Sequence, residues 1–188
     1  MTETTILYCD LDGVLHALGT PAIDEFGTAH PESPGVFRWQ PLPEHALRPY
    51  PDMQIVVSSS WRFFHSDAEL CSFLGPLDSR FAGTTTNEHE DWTRSEEILT
   101  RAKKNNYQHI LALDDHESVR ARESNEGDQR LMWCSPDTGI SPQRFLIRLH
   151  DRLLKAARKH RPRTLMYRIM AQRTRRNPFV LATLGATL

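Results

Sequence analysis

Asp10 and Asp12 stand one residue apart at the end of the apolar run Ile6-Leu7-Tyr8-Cys9, and Gly13-Val14-Leu15 follows at once. Like charges on low-dielectric ground repel unless a cation or a proton intervenes, so something positive is expected beside them. Where an extended conformation continues, residues i and i+2 share a face, which lets both carboxylates address one reacting centre. An acid-x-acid pair is common in metal-binding loops, so its weight depends on partners farther along the chain. Two further apolar runs also end in polar groups: Ile55-Val56-Val57 in Ser58-Ser59-Ser60-Trp61-Arg62, and Ile110-Leu111-Ala112-Leu113 in Asp114-Asp115. In a parallel sheet such ends lie on one edge, and ligands bind in the crevice outside the carboxyl ends near the switch in strand order. Four carboxylates, a hydroxyl cluster and a cation would then converge.

The elements needed to hold them there are legible. Apolar runs bounded by turn residues alternate with stretches of helical period, the pattern of an α/β sandwich with a mostly parallel sheet. Strands are expected at Ile6 to Cys9, Gln54 to Val57, Arg80 to Gly83, His109 to Leu113 and Arg130 to Cys134. Helices are expected at Glu44 to Pro49, at Asp67 to Leu74 capped by Ser66, and at Arg94 to Asn105 capped by Thr93 with Glu96 and Glu97 in the first turn. Ser141-Pro142 starts a final helix, in which Phe145, Leu146, Leu149, Leu153 and Leu154 recur at helical spacing. Leu165, Met166, Ile169 and Met170 hint at one more amphipathic segment. His16 to Gln40 is the one long irregular stretch, broken by Pro21, Pro31, Pro34 and three glycines. A loop of that length is usually a functional lid or flexible, and this one follows the acid pair directly.

A chain of 188 residues suits one domain with an appendage. No run approaches the roughly 18 apolar residues of a membrane span, and no basic stretch precedes an apolar core at the N-terminus. A cytoplasmic protein is therefore expected, and membrane partners are not. Cys9, Cys71 and Cys134 show no metal-ligand spacing and are odd in number, so they read as small buried residues rather than a disulfide framework. Charge is unevenly divided. Arg152 to Leu188 carries ten Lys or Arg and no acid, whereas residues 1–151 hold 13 basic and 24 acidic residues. The boundary is drawn at a domain of residues 1–158 and a basic extension of residues 159–188. That extension has two readings, a footprint for nucleic acid or a solvated helix end, and the lack of an accompanying aromatic platform favours the second. Of nine histidines none shows ligand spacing; His16, nearest the acid pair, could line the entrance, and His116 adjoins Asp115.

With these motifs in order, the chain resembles the haloacid dehalogenase-like (HAD) hydrolase superfamily, marked by an apolar strand followed by Asp-x-Asp-Gly, a second strand ending in Ser or Thr, and a later strand ending in two acids. Ser58-Ser59-Ser60-Trp61-Arg62, Arg94-Ser95-Glu96-Glu97-Ile98, Leu113-Asp114-Asp115 and Asp137-Thr138-Gly139-Ile140-Ser141 more narrowly resemble the HAD domains of bacterial RNA-repair (Swiss Army Knife) proteins. The likeness spans about residues 5–155. It implies a Rossmann-like three-layer α/β/α sandwich of about five strands without a large cap domain, and a Mg²⁺-dependent phosphomonoesterase. Phosphate-monoester hydrolysis is among the slowest uncatalysed reactions, needing acceleration up to about 10²¹-fold, and it depends chiefly on positioning and charge. By resemblance Asp10 is the nucleophile that carries an aspartyl-phosphate, and Asp12 protonates the leaving oxygen and later deprotonates water. The metal ligands so implied are Asp10, the backbone carbonyl of Asp12 and one acid of the Asp114–Asp115 pair, with Asp115 preferred as direct ligand and Asp114 orienting the site. Ser58 would donate its hydroxyl and Ser59 its N–H to the phosphoryl oxygens, while Gly13, His16 and Arg62 are assigned to substrate binding.

The family also needs a cation, for which Arg94, Lys103 and Lys104 are available. A helix preceding a parallel strand starts at the active edge, and at 1.5 Å per residue Lys103 lies roughly 13 Å farther away, so Arg94 is chosen. Trp61 is as well explained by core packing as by substrate contact. Without a cap the site would be open, which suits a macromolecular end such as an RNA or DNA terminal phosphate. Three other functions use the same residues: a small-molecule or nucleotide phosphatase, a non-catalytic Mg²⁺-binding regulatory module, and a two-metal nuclease, in which Ser58 and Arg94 would have no special purpose.

Overall fold

The computed structural model describes residues 4–20, 30, 32–86 and 91–158. The chain divides into Met1–Ala156 and Ala157–Leu188, and the architecture below is that of the first unit. Its order is β1 (Thr5–Cys9), α1 (Pro41–Leu47), β2 (Gln54–Val57), a 3₁₀ turn (Ser60–Phe63), α2 (Asp67–Phe73), a second 3₁₀ turn (Gly75–Arg80), β3 (Phe81–Thr84), α3 (Arg94–Lys104), β4 (His109–Asp114), α4 (Glu117–Asn125), β5 (Leu131–Trp133) and α5 (Gln143–Arg158).

All five expected strands form, in the order β3-β2-β1-β4-β5, and every pairing is parallel. Parallel strands covered on both faces read as continuous apolar runs, which is why β1, β2 and β4 were unambiguous. Ile6, Tyr8, Val56, Ile110 and Ala112 make one inner face and pack with Ile98 and Ala102 of α3 and Val119 of α4. Leu7, Cys9, Ile55, Val57, Leu111 and Leu113 make the other, equally buried. Leu47 of α1, Leu70 of α2 and Phe145, Leu149 and Leu153 of α5 are buried too, outside the cluster on the first face. The result is the three-layer Rossmann-like sandwich, with no large cap among the described residues.

The order places β1 at the centre, where β2 lies on one side and β4 on the other. The strands that end in Asp10, Ser58 and Asp114 are therefore immediate neighbours. The ladder runs on to the site itself, since Asp10 N–H donates to Leu113 O and Ser58 N–H to Cys9 O, each at 3.0 Å.

Three elements depart from expectation. α1 begins at Pro41 rather than Glu44, with proline in its first turn. α4 was not foreseen because Val119 is its one buried residue, so no apolar stripe marks it; His116 caps it by accepting from Ser118 N–H. Ser60 to Phe63, where no separate element was expected, is a 3₁₀ turn in which Ser59 is the N-cap. Cys9 and Cys134 are buried as expected, whereas Cys71 is partly exposed. In the stretch from His16 to Gln40, residues 32–40 form successive turns that bury Val36, Phe37 and Trp39; residues 21–29 and 31 lie outside the described residues. So do the basic extension 159–188 and the amphipathic segment at Leu165 to Met170.

Candidate active site

Asp10 closes β1 and is buried. Leu11 N–H donates to its Oδ1 at 2.7 Å, and the Ser59 side chain also hydrogen-bonds it. Carboxylate oxygens of Asp10, Asp114 and Asp115 lie within 4.8 Å of one another. Burial pushes all three carboxyls above the usual carboxylate range; proximity to Asp10 adds to this at Asp114 and at Asp115, whose value is pushed up to about 6. Arg94 opposes the shift at each of them. Three converging acids with one guanidinium leave negative charge uncompensated, the condition under which a hard divalent cation is held by oxygen ligands.

Asp114 is engaged on both oxygens. Its Oδ1 accepts from His116 N–H at 2.9 Å, and its Oδ2 accepts from the Ser58 hydroxyl at 3.5 Å and faces Arg94 Nε at 3.5 Å. Asp115 is half-buried and lies over Gly13. Gly13 has φ +62°, and a Cβ built there would stand 2.1 Å from Asp115 Oδ2. Glycine is thus required twice, by a left-handed turn and by the close approach of a carboxylate. Gly13, assigned to substrate binding, is placed by the fold against Asp115.

Arg94 opens α3 at the active edge, as the choice among the cations required. Thr93 and Glu96 form a capping box, in which the Glu96 carboxylate accepts from Thr93 N–H at 2.9 Å and from its hydroxyl at 2.6 Å. Glu97, one turn along, is buried between two guanidinium groups: Arg62 Nη2 at 2.7 Å and Arg94 Nη1 at 3.6 Å. Arg94 Nη1 has no hydrogen-bond partner, which leaves donor capacity beside the acids.

Arg62 does not reach outward as a substrate-binding group. Its side chain is 6 % exposed, and Nη1 donates to Ser58 O and Ser59 O at 2.8 and 2.7 Å. It ties the turn after β2 to α3. Glu97 was legible only as a first-turn acid; its i+3 spacing from Arg94 was the one available sign of the pairing.

The carboxylate of Asp12 is not among the converging acids. The chain leaves extended geometry after Cys9 and winds into a turn, with Leu15 N–H donating to Leu11 O at 2.8 Å, so the i, i+2 rule does not carry past the strand. Asp12 Oδ1 instead meets His16 Nε2 at 2.9 Å, and Oδ2 accepts from Trp61 Nε1 at 2.7 Å. His16 is completely buried and lines no entrance. Trp61 is buried too, as core packing implied, but its indole N–H is committed to Asp12. Phe63 and Phe64, next in the chain, are exposed, with the Arg62 guanidinium 4.3 Å from the Phe63 ring.

The arrangement offers a buried carboxylate flanked by two others at a sheet edge, hydroxyls from β2, and a guanidinium from α3. Such a set can hold a cation and a phosphoryl group together. No curated protein and no solved structure matches the chain significantly. The family model for the HAD domain in Swiss Army Knife RNA repair proteins matches residues 6–145, more than half of the chain, and the protein belongs to that family.

Proposed function

We propose that this HAD domain is a Mg²⁺-dependent phosphomonoester hydrolase that works through an aspartyl-phosphate on Asp10 and acts on nucleic-acid terminal phosphates. The observation that carries the reading is the convergence of Asp10, Asp114 and Asp115 oxygens within 4.8 Å at the carboxyl edge of the sheet. Asp10, Asp115 and the backbone carbonyl of Asp12 would hold the ion; Asp115 is preferred to Asp114 because both oxygens of Asp114 are already engaged. When bound, Mg²⁺ would offset the charge between Asp10 and an anionic substrate.

Asp10 attacks phosphorus, the bond to the leaving oxygen breaks, and that oxygen takes a proton from Asp12. Water then attacks the phosphoryl group, gives its proton to Asp12, and the bond to Asp10 breaks. Ser58, the N–H of Ser59 and Arg94 bind the phosphoryl oxygens and stabilise the charge that spreads over them. Arg62 holds Glu97, which steadies Arg94.

A nucleic-acid end as substrate is supported by the uncapped edge, by the family's place among RNA-repair proteins, and by the exposed Phe63 and Phe64 beside the serine turn, since aromatic faces stack bases without sequence preference. Phosphate release from a 3′- or 5′-phosphorylated oligonucleotide in the presence of Mg²⁺ tests the proposal. Asp10→Asn should reduce release by at least about 10³-fold while leaving the thermal midpoint within a few degrees of wild type. Equal release by wild type and Asp10→Asn would overturn it, and cleavage of internal phosphodiesters would favour a nuclease.

A further inference from the structure

We propose that His16 and Trp61 are positioning residues for Asp12, holding its carboxyl group by two ring N–H donors so that it is aimed at the leaving oxygen. The inference rests on the phosphatase reading and adds to it a determinant of which leaving groups the enzyme expels well.

The geometry is specific. One oxygen of Asp12 meets His16 Nε2 at 2.9 Å and the other accepts from Trp61 Nε1 at 2.7 Å. The donors are immobilised, at 0 % and 1 % exposure, whereas the Asp12 side chain is 27 % exposed. The carboxyl is therefore gripped from inside and open outside. Each carboxylate oxygen has two lone pairs, so one on each remains after both grips are made.

The identity of the donors separates positioning from proton transfer. An indole N–H only donates, so Trp61 cannot relay a proton. His16 faces Asp12 through Nε2, where an ionised carboxylate calls for a donor, while Nδ1 is buried without a hydrogen-bond partner. Nδ1 thus meets no acceptor among the described residues through which a proton could be passed on. Both rings belong to one edge-to-face stack: His16 lies 5.3 Å from Phe37 and 6.0 Å from Trp61, and Trp61 lies 5.4 Å from Phe73. Phe37 belongs to the stretch after the loop and Phe73 to α2. Three separate parts of the chain thus fix the direction of one carboxyl.

The consequence falls on one step. When the phosphorus bond to an alkoxide breaks, its electron pair leaves with the oxygen, which needs Asp12's proton as the bond to Asp10 forms. A nitrophenolate leaves with little such help. Loosening the grip should slow alkyl phosphates more than aryl ones, since general-acid assistance is worth about 10²–10⁴-fold where it is needed.

The test compares kcat/KM for 4-nitrophenyl phosphate and for a ribonucleoside 3′-phosphate. That parameter covers events up to departure of the leaving group, so the later hydrolysis of the aspartyl-phosphate does not enter. Trp61→Phe and His16→Leu should each raise the aryl-to-alkyl ratio by about 10-fold or more, and His16→Gln, which restores a donor, should bring it back toward wild type. An unchanged ratio would overturn the proposal, because a purely structural role lowers both rates together. A readout that needs no turnover is the Trp61 indole ¹H resonance, assigned by its loss in Trp61→Phe. It should move upfield by a fraction of a ppm or more in Asp12→Ala, and a resonance that stays in place would refute the contact. Should wild type show no Asp10-dependent phosphate release, the phosphatase reading fails, and the indole resonance still decides the contact with Asp12 separately.

Discussion

At the scale of single residues the site is governed by a conflict between burial and charge. Asp10 and Asp114 are buried and Asp115 is half-buried, and each is pushed toward its protonated form. The sign for stability follows from Asp115, whose value is about 6 in the fold against about 3.9 in an unfolded chain. Below pH 4 the folded and unfolded forms are both protonated. Between pH 4 and 6 the native state binds more protons, so stability falls as pH rises and stays reduced above 6. A bound divalent ion reverses that loss only where the acids are ionised. Added millimolar Mg²⁺ should therefore raise the melting temperature clearly at pH 7.5 and much less at pH 5, by differential scanning fluorimetry. Equal shifts at both values would contradict the assignment of these acids as ligands.

At the scale of elements, α3 has the greatest influence on the site. Its first turn delivers Arg94 to Asp114 and buries Glu97 between Arg94 and Arg62, so capping and active-site geometry are one feature. Thr93→Ala removes the hydroxyl that pairs with Glu96 and should cost about 1 kcal/mol of stability in a urea titration. Phosphatase activity should fall by more than that loss explains under conditions where the variant is fully folded, because Arg94 is the next residue. An activity equal to wild type would show that the cap and the cation are independent. α3 was legible because its cap, its acids and its apolar stripe of Ile98, Leu99 and Ala102 agree. α4 was not, since a helix with one buried side chain has no period to detect.

At the scale of the whole molecule, the proposed substrate class follows from a sheet edge over which the described residues build no large cap. Among the described residues no large cap is present and no helix is long and apolar enough to cross a membrane. A phosphorylated oligonucleotide should therefore be turned over with kcat/KM at least about 10-fold above that of the corresponding mononucleotide, the excess shrinking as salt rises from 50 to 200 mM. Preference for the mononucleotide would point to a small-molecule or nucleotide phosphatase, with the stretch after His16 folding over the site.

By itself the sequence determined β1, β2 and β4, their buried character and the residues at their carboxyl ends, because a strand covered on both faces must be apolar throughout and its polar terminus then stands out. Helix rise and direction alone also led to the expectation of Arg94 rather than Lys103 at the acid edge, where Arg94 Nε stands 3.5 Å from Asp114. Only the tertiary structure decided the fate of Arg62 and Trp61. Each is a polar group near the motif, and its direction depends on partners 35 residues away for Arg62 and Glu97, or 49 for Trp61 and Asp12. Local spacing carries no information about such pairs: a chain leaving a strand is free to turn, and packing against distant elements selects which acid joins the cluster of Asp10, Asp114 and Asp115 and which is gripped by rings.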